Sequence, residues 1–146
     1  SRSVDREAIP STRTDNPLSM EQNNCLFCQV LSEKNRVVFD SEYFFVILDD
    51  FPVSKGHALI IPKRHQADIF SLADEEWHDL PLILQRTKNY LDNEYKPDGY
   101  NIGINCGEAA GQTVFHLHIH VIPRYHGDVE KPRGGIRNFK KPLVEY

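Results

Sequence analysis

The stretch Gly111-Gln112-Thr113-Val114-Phe115-His116-Leu117-His118-Ile119-His120-Val121-Ile122-Pro123-Arg124 contains three histidines at a spacing of two. Side chains two residues apart on a β-strand lie on the same face of the sheet. As a strand, this segment therefore places His116, His118 and His120 in one row, with aliphatic residues on the opposite face. The aliphatic face can pack into a core while the imidazoles line a site. Neighbouring imidazoles would lie roughly 6.5–7 Å apart by strand rise, so one small anionic group could touch two of them.

The residues before this strand are suited to binding a phosphate. Gly107 and Gly111 can turn backbone N–H groups toward an anion, and Gln112 and Thr113 add side-chain donors. Such donors stabilise charge that builds on a phosphoryl group during displacement, and a neutral imidazole can attack phosphorus directly. Two alternatives stay open at this point. The glycines could merely turn the chain between two strands, and the three histidines could bind a catalytic metal.

Length and charge limit the kind of protein. A chain of 146 residues is expected to form one domain with a hydrophobic core, and its formal net charge of −4 argues against a nucleic-acid or membrane partner. The sequence contains no apolar run near the roughly 20 residues of a membrane span and no signal peptide. Residues 1–20 are interpreted as a flexible leader or a remnant of cloning, and residues 21–146 as a single domain. A cytoplasmic location is expected, since a Cys-x-x-Cys pair without secretory signals indicates a reducing compartment.

The remaining segments predict an α+β fold. A short helix is expected over residues 25–31, capped by Asn23 or Asn24, and a long helix from a capping box at residues 71–74 to about Tyr95. Pro81 should kink the first turns of the long helix or mark a later start. Aromatic and β-branched runs predict four strands before the histidine strand, at residues 36–39, 43–48, 57–61 and 100–105. This order of elements favours an antiparallel sheet, with the basic tail at residues 131–137 as a surface loop.

Two further groups have possible chemical roles. Cys25 and Cys28 have the Cys-x-x-Cys spacing of zinc sites, and His65 and His116 are long-range candidates for the other two ligands. Two buried cysteines without a metal are the alternative. Asp49 and Asp50 follow a predicted strand, where a carboxylate could accept hydrogen bonds from a ribose diol or only begin a turn.

The run His116-Leu117-His118-Ile119-His120-Val121-Ile122 resembles the histidine-triad signature, in which histidines and apolar residues alternate. The similarity covers roughly residues 25–128 and includes Asp49 before Gly56-His57, the run Ile60-Ile61-Pro62-Lys63 and the run Ala110-Gly111-Gln112-Thr113-Val114. The resemblance implies a five-stranded antiparallel sheet with one long and one short helix. It also implies a homodimer in which two such sheets form one of ten strands.

The same resemblance implies nucleotidyl transfer at an α-phosphate. His118 would be the nucleophile, His120 and Gln112 would contact the phosphate and leaving group, and His57 would lie beside the nucleophile. A purine nucleotide would be the substrate. Its implied contacts are Asp49 on the ribose and, around the base and phosphate, Leu26, Phe27, Val30, Ile47, Asn105, Gly111, Gln112, Thr113, His118 and His120.

The zinc-containing, bacterial-type branch of this family is the most similar. There Cys25, Cys28, His65 and His116 match four ligands, which implies a closed, structural Zn²⁺ site. The tail at residues 132–137 is similar to that of diadenosine-polyphosphate hydrolase-like members. His120 stands where the transferase and phosphorylase branches have glutamine, which favours a hydrolase of dinucleoside polyphosphates or similar purine conjugates. A purine nucleoside phosphoramidase and a nucleotide-binding regulatory module with little turnover are the alternatives.

Overall fold

The computed structural model describes residues 25–33 and 35–138. The expected leader at residues 1–20 and the candidate cap residues Asn23 and Asn24 lie outside the described residues. The short helix begins one residue later than expected, with Cys25 at the N-cap position.

The described residues form two α-helices and a five-stranded sheet. In chain order these are α1 Leu26–Leu31, β1 Val37–Asp40, β2 Phe44–Leu48, β3 Ala58–Pro62, α2 Asp74–Tyr95, β4 Gly99–Gly103 and β5 Ile119–Arg124. The strand order is β1-β2-β3-β5-β4, and every neighbouring pair is antiparallel. The predicted α+β fold class is confirmed.

Both faces of the central strands are buried. Phe44 and Val46 of β2 belong to a cluster under α2 that includes Ile83, whereas Phe45 and Ile47 pack with Phe27 and Val30 of α1 on the opposite face. Burial on two sides explains why β2 reads as a continuous apolar run without alternation. The sheet is therefore enclosed between a long helix and a short one.

The histidine segment keeps its alternation, although its β-ladder is shorter than predicted. Leu117, Ile119 and Val121 pack into the α2 cluster, and His120 pairs with Leu59 on the α1 face. Strand β5 begins only at Ile119, so the prediction of a strand over all three histidines was wrong in extent. The reason is a tertiary contact: the Leu117 N–H donates to the carbonyl of Gln66, in the segment after β3, at 2.7 Å.

The long helix also differs from prediction in two details. It begins at Asp74, and the Ala73 N–H donates to Glu76 Oε1 at 2.7 Å, so the expected capping box at residues 71–74 lies too early. Pro81 lies inside the helix, which continues to Tyr95, so the later start is excluded. In the described residues no helix has the length and apolar character needed to cross a membrane.

Two connections pack tightly against these elements. Gly56, before β3, has a φ of +89°, and a Cβ built there would lie 2.8 Å from Cδ2 of Tyr95, the last residue of α2. The tail contains a short 3₁₀ helix, Gly135–Arg137, where a surface loop was expected. Its Ile136 packs against the edge strand β4, because a Cβ at Gly103 would meet Ile136 Cδ1 at 3.2 Å.

Candidate functional site

A cavity of about 380 Å³ lies on the α1 face of the sheet. This volume is within the usual range for small-molecule sites. Its walls come from α1, the end of β2, β3, the glycine-containing loop and the histidine segment. The structure brings ten of the eleven predicted nucleotide contacts to this cavity: Leu26, Phe27, Val30, Ile47, Asp49, Asn105, Gly111, Thr113, His118 and His120.

Gln112 is the predicted contact that does not line the cavity. Its side chain is buried, with Nε2 donating to the Ala67 carbonyl at 2.8 Å and to the Val114 carbonyl at 3.2 Å. Its Oε1 accepts the Gly107 N–H at 2.8 Å. In this arrangement Gln112 holds the glycine-containing loop in shape, whereas the sequence placed its side chain at the phosphate.

The tautomer of His118 follows from its hydrogen bond. His118 Nδ1 lies 2.9 Å from the His116 carbonyl oxygen, which can only accept, so Nδ1 carries the proton. In the neutral ring Nε2 then has a free lone pair. The ring is held from the side by Phe27, with centroids 4.9 Å apart. His118 therefore presents one unprotonated nitrogen to a cavity of nucleotide size.

A second chain of hydrogen bonds fixes His57 and His120. The Val53 N–H donates to His57 Nδ1 at 3.1 Å, so the His57 proton is on Nε2. His57 Nε2 lies 2.9 Å from His120 Nδ1, which must accept, and this leaves the His120 proton on Nε2. His120 can therefore donate a hydrogen bond through Nε2 while its neighbour His118 offers a lone pair.

Burial keeps this pair neutral. Desolvation lowers the pKa of His57, with the Asp49 carboxylate opposing that shift. The pKa of His120 falls to about 4, first through burial and then through the nearby rings of His118 and His57. Neutral imidazoles at pH 7 agree with the single-proton tautomers that the hydrogen bonds require.

Asp49 serves the turn and faces the cavity as well. Its Oδ1 accepts the Phe51 N–H at 2.9 Å, as a turn-forming aspartate does, and its Oδ2 lies 3.5 Å from His57 Nε2. The neighbouring Asp50 pairs with Arg36 at 3.1 Å. The carboxylate of Asp49 is thus oriented by the backbone and lies beside the histidines.

Cys25, Cys28, His65 and His116 form a compact group on the same face of the sheet. Their ligand atoms all lie within 4.8 Å of one another. His116 Nδ1 lies 3.3 Å from each sulfur, and His65 Nδ1 lies 3.1 Å from Cys28 Sγ and 3.2 Å from His116 Nδ1. Ligands around a tetrahedral Zn²⁺ lie about 3.3–3.8 Å apart for the usual bond lengths, so the separations are close to those of a four-ligand site.

The protonation states of this group also suit a metal. His116 Nε2 donates to the Pro62 carbonyl at 2.8 Å, which leaves the Nδ1 lone pair toward the cysteines. The pKa of Cys25 falls to about 3, chiefly through a hydrogen bond from Cys28 and, against the effect of burial, through His116. A thiolate and an oriented imidazole are the forms that bind zinc. The donor set therefore fits a closed metal site.

The three histidines of the segment do not converge on one metal. Across the described residues, His116 groups with the cysteines, and the other possible metal group is Asp49, His57 and His120. The hydrogen bond between His57 and His120 accounts for the closeness of that second group. The row predicted from the sequence is therefore divided between two sites.

Four residues that also line the cavity have no role predicted from the sequence: Arg36, Phe51, Leu59 and Val114. Leu59 could have been found, because the alternation in β3 places it on the same face as His120. Arg36 and Phe51 lie outside the strands, and no periodic pattern pointed to them.

Comparison with known proteins agrees with this geometry. The HIT domain family matches residues 31–127 of the chain, a range that begins after the two cysteines. A 16.1 kDa HIT-like protein of Mycoplasma pneumoniae is 40% identical over 109 residues, covering 73% of this chain and 76% of that protein. The bis(5'-adenosyl)-triphosphatase of Dictyostelium discoideum is 38% identical over 100 residues, covering 68% of this chain and 67% of the enzyme.

A solved structure shares both the fold and much of the sequence. It is a Zn-bound histidine triad family protein from Mycobacterium smegmatis, 38% identical, with a TM-score of 0.65 over 73% of this chain and 79% of that one. With the family match, the relatives and the arrangement of His57, His116, His118 and His120 all in agreement, the chain belongs to the histidine-triad, or HIT, family.

Proposed function

We propose that the protein is a nucleotidyl hydrolase that cleaves dinucleoside polyphosphates or similar purine conjugates at an α-phosphate through a covalent nucleotidyl-His118. The observation that carries the proposal is the tautomer of His118, whose Nδ1–H is bound to a main-chain carbonyl at 2.9 Å while the ring lines the cavity. The likeness to a bis(5'-adenosyl)-triphosphatase supports the same class of reaction.

The first step forms the intermediate. The lone pair on His118 Nε2 attacks the α-phosphorus, and the bond from that phosphorus to the bridging oxygen breaks. The electron pair leaves with the departing phosphate, whose oxygen accepts a hydrogen bond from His120 Nε2–H. The His116 carbonyl stabilises the positive charge on His118 through Nδ1–H.

The second step restores the enzyme. Water attacks the phosphorus, the N–P bond breaks, and its electron pair returns to His118 Nε2. The proton lost by water passes to the solvent, and His120 keeps its own proton throughout. The products are a nucleoside monophosphate and the shortened phosphate compound. In this assignment Asp49 holds the ribose, and the apolar residues of α1 enclose the purine.

The group Cys25, Cys28, His65 and His116 is proposed to hold a structural Zn²⁺. With four protein ligands the ion would have no open position for substrate, so it would supply rigidity. The ligands are spread over α1, the segment after β3 and the histidine segment. A homodimer is also proposed from the family resemblance, and the edge strands β1 and β4 are the ones that could extend the sheet.

The decisive test is replacement of the nucleophile. The His118→Ala variant should lose at least about 10³-fold in kcat on diadenosine tri- or tetraphosphate, because its attacking atom is absent. Mass spectrometry of rapidly quenched wild-type protein should show one added nucleotidyl group, and His118→Ala should show none.

The matched control is His126→Ala, which removes an imidazole whose side chain is 91% exposed. Its kcat should equal that of the wild type. Near-normal turnover by His118→Ala would contradict the proposal. Faster release of amine from adenosine phosphoramidate would instead identify a phosphoramidase, and tight binding without product from either substrate would identify a regulatory module.

A further inference from the structure

Glu76 is a buried carboxylate that the proposed reaction does not use. It lies in the first turn of α2 and is only 3% exposed. Acidic residues are seldom buried to this degree unless they are paired and hydrogen-bonded. Its position is therefore maintained by specific partners.

Those partners are the two residues on either side of His65. Arg64 Nη2 lies 2.8 Å from Glu76 Oε1, and Arg64 Nε lies 3.4 Å from Oε2. Gln66 Nε2 lies 3.3 Å from Oε2 and 3.4 Å from Oε1. Arg64 Nη2 also donates to Gln66 Oε1 at 2.9 Å, which closes the network.

The network is anchored to the helix. Glu76 Oε1 accepts the Ala73 N–H at 2.7 Å, and Arg64 Nη2 donates to the Ser71 carbonyl at 3.0 Å. The segment that carries His65 is thus tied at both neighbours to the beginning of α2. His116 is held differently, by the direct hydrogen bond to Pro62.

The same segment reaches the second histidine ligand. The Gln66 carbonyl accepts the N–H of Leu117, the residue between His116 and His118, at 2.7 Å. A shift of Gln66 would therefore displace the His65 ring through the chain and the backbone beside His116 through the hydrogen bond of Leu117. Because the two displacements differ, the distance of 3.2 Å between His65 Nδ1 and His116 Nδ1 would change.

We propose that Glu76 is a positioning residue for the metal site, acting through Arg64 and Gln66 to fix His65. The inference rests on the proposed zinc site. In Glu76→Gln one oxygen becomes an NH₂ group that faces donors of Arg64 or Gln66, so the network loses acceptors without losing volume. Residues that orient metal ligands commonly contribute about 10–100-fold to metal affinity, and a loss of that size is expected here.

The experiment measures zinc affinity by competition between the purified zinc-loaded protein and a chromophoric chelator. Asp79→Asn is the matched control, because it also turns a carboxylate of α2 into an amide. Asp79 Oδ2 accepts a hydrogen bond from Ser41 Oγ at 2.6 Å, and Ser41 lies in the turn between β1 and β2, outside the network of Arg64 and Gln66. Thermal unfolding of each zinc-loaded variant identifies the temperature range in which all are folded.

The expected result is a loss of about 10-fold or more in zinc affinity for Glu76→Gln and a value near wild type for Asp79→Asn. Equal affinities in Glu76→Gln and wild type would overturn the proposal, and so would equal losses in the two variants. If Glu76→Gln does not fold, Arg64→Lys, which removes the guanidinium fork, gives the same comparison. A wild-type protein that binds no zinc refutes the proposed metal site itself, and this inference with it.

Discussion

At the residue scale, the three histidines that are spaced two residues apart, His116, His118 and His120, have three different environments. The Pro62 carbonyl fixes the proton of His116, the His116 carbonyl fixes that of His118, and His57 fixes that of His120. Each hydrogen bond leaves a different ring nitrogen with a lone pair or a proton. The proposed division into ligand, nucleophile and donor therefore follows from the hydrogen-bond partner of each ring.

The lowered pKa of His120 makes a prediction for stability against pH. Its ordinary value is 6.5 and its folded value about 4, so the unfolded chain binds more protons between these limits. The free energy of unfolding should fall as the pH decreases from 6.5 toward 4, by at most about 1.4 kcal/mol per pH unit for one such group. Denaturant titrations at several pH values in this window measure the slope.

Replacing His120 by glutamine removes the titrating group, so the slope between pH 6.5 and 4 should become smaller. His126→Gln, which alters an exposed ring, should keep the wild-type slope. Equal slopes in His120→Gln and wild type would show that His120 does not contribute in this range. Excess zinc in the titrations limits changes in protonation at the proposed ligands Cys25, Cys28, His65 and His116.

Side-chain pattern predicted the row of histidines, but it could not predict their tautomers. The groups that decide them are mostly main-chain atoms, such as the carbonyls of Pro62 and His116, and these carry no sequence signal. Gln112 shows the same limit. Its residue type suits a phosphate contact, yet the folded loop offers its amide three main-chain partners: Ala67, Val114 and Gly107.

At the element scale, the turn at Gly56 connects β2 to β3 and packs against Tyr95 at the end of the long helix. Its positive φ disfavours any side chain, and a Cβ would press on Tyr95 at 2.8 Å. His57 follows directly and depends on this turn for its bond with Val53. The conformation of Gly56 therefore affects both the packing against Tyr95 and the orientation of His57.

Gly56→Ala should lower the free energy of unfolding by about 2–4 kcal/mol, because backbone strain adds to overpacking. Denaturant unfolding measures this change. Gly99→Ala is the control, since a Cβ at Gly99 meets no atom of the described residues within 4 Å, and its effect should stay within about 0.5 kcal/mol. A Gly56→Ala variant as stable as Gly99→Ala would show that Tyr95 moves away without cost.

The elements were predictable where local pattern and tertiary contact agree. The runs of β2 and β3 became strands because both faces are buried. The histidine strand started late because Leu117 binds Gln66, a contact that no local pattern shows. Pro81 was tolerated inside α2 at an exposed position, although its ring and missing N–H disfavour a helix interior.

At the scale of the whole molecule, the proposed metal site would join distant parts of the chain. Cys25 and His116 are 91 residues apart, and Cys28 and His65 are 37 apart. Helix α1 has only six residues, too few to be stable alone. A metal at its N-terminal end would hold it against the sheet, where Leu26, Phe27 and Val30 line the proposed nucleotide cavity.

Removal of zinc by a strong chelator should therefore lower the free energy of unfolding by several kcal/mol, about 3 or more. Nucleotide affinity should fall with it, since α1 forms a wall of the cavity. Calorimetry with and without chelator measures both, and added zinc should restore them. Cys28→Ser should resemble the stripped protein, whereas Cys106→Ser should resemble the wild type; a chelator-insensitive melting temperature would contradict the role of the metal.

The acceptor that orients His118, the His116 carbonyl, limits how this site can change by mutation. The His116 carbonyl is main chain, so no single amino-acid replacement can delete it while the backbone keeps its path. Replacement of side chains around the cavity can change which ligands fit, while this hydrogen bond keeps His118 Nε2, the proposed attacking atom, in the same orientation. Only chemical synthesis, such as an ester in place of a backbone amide, could weaken this contact selectively. In the proposed reaction, replacements around the cavity should therefore change substrate choice more readily than they change the orientation of His118 Nε2.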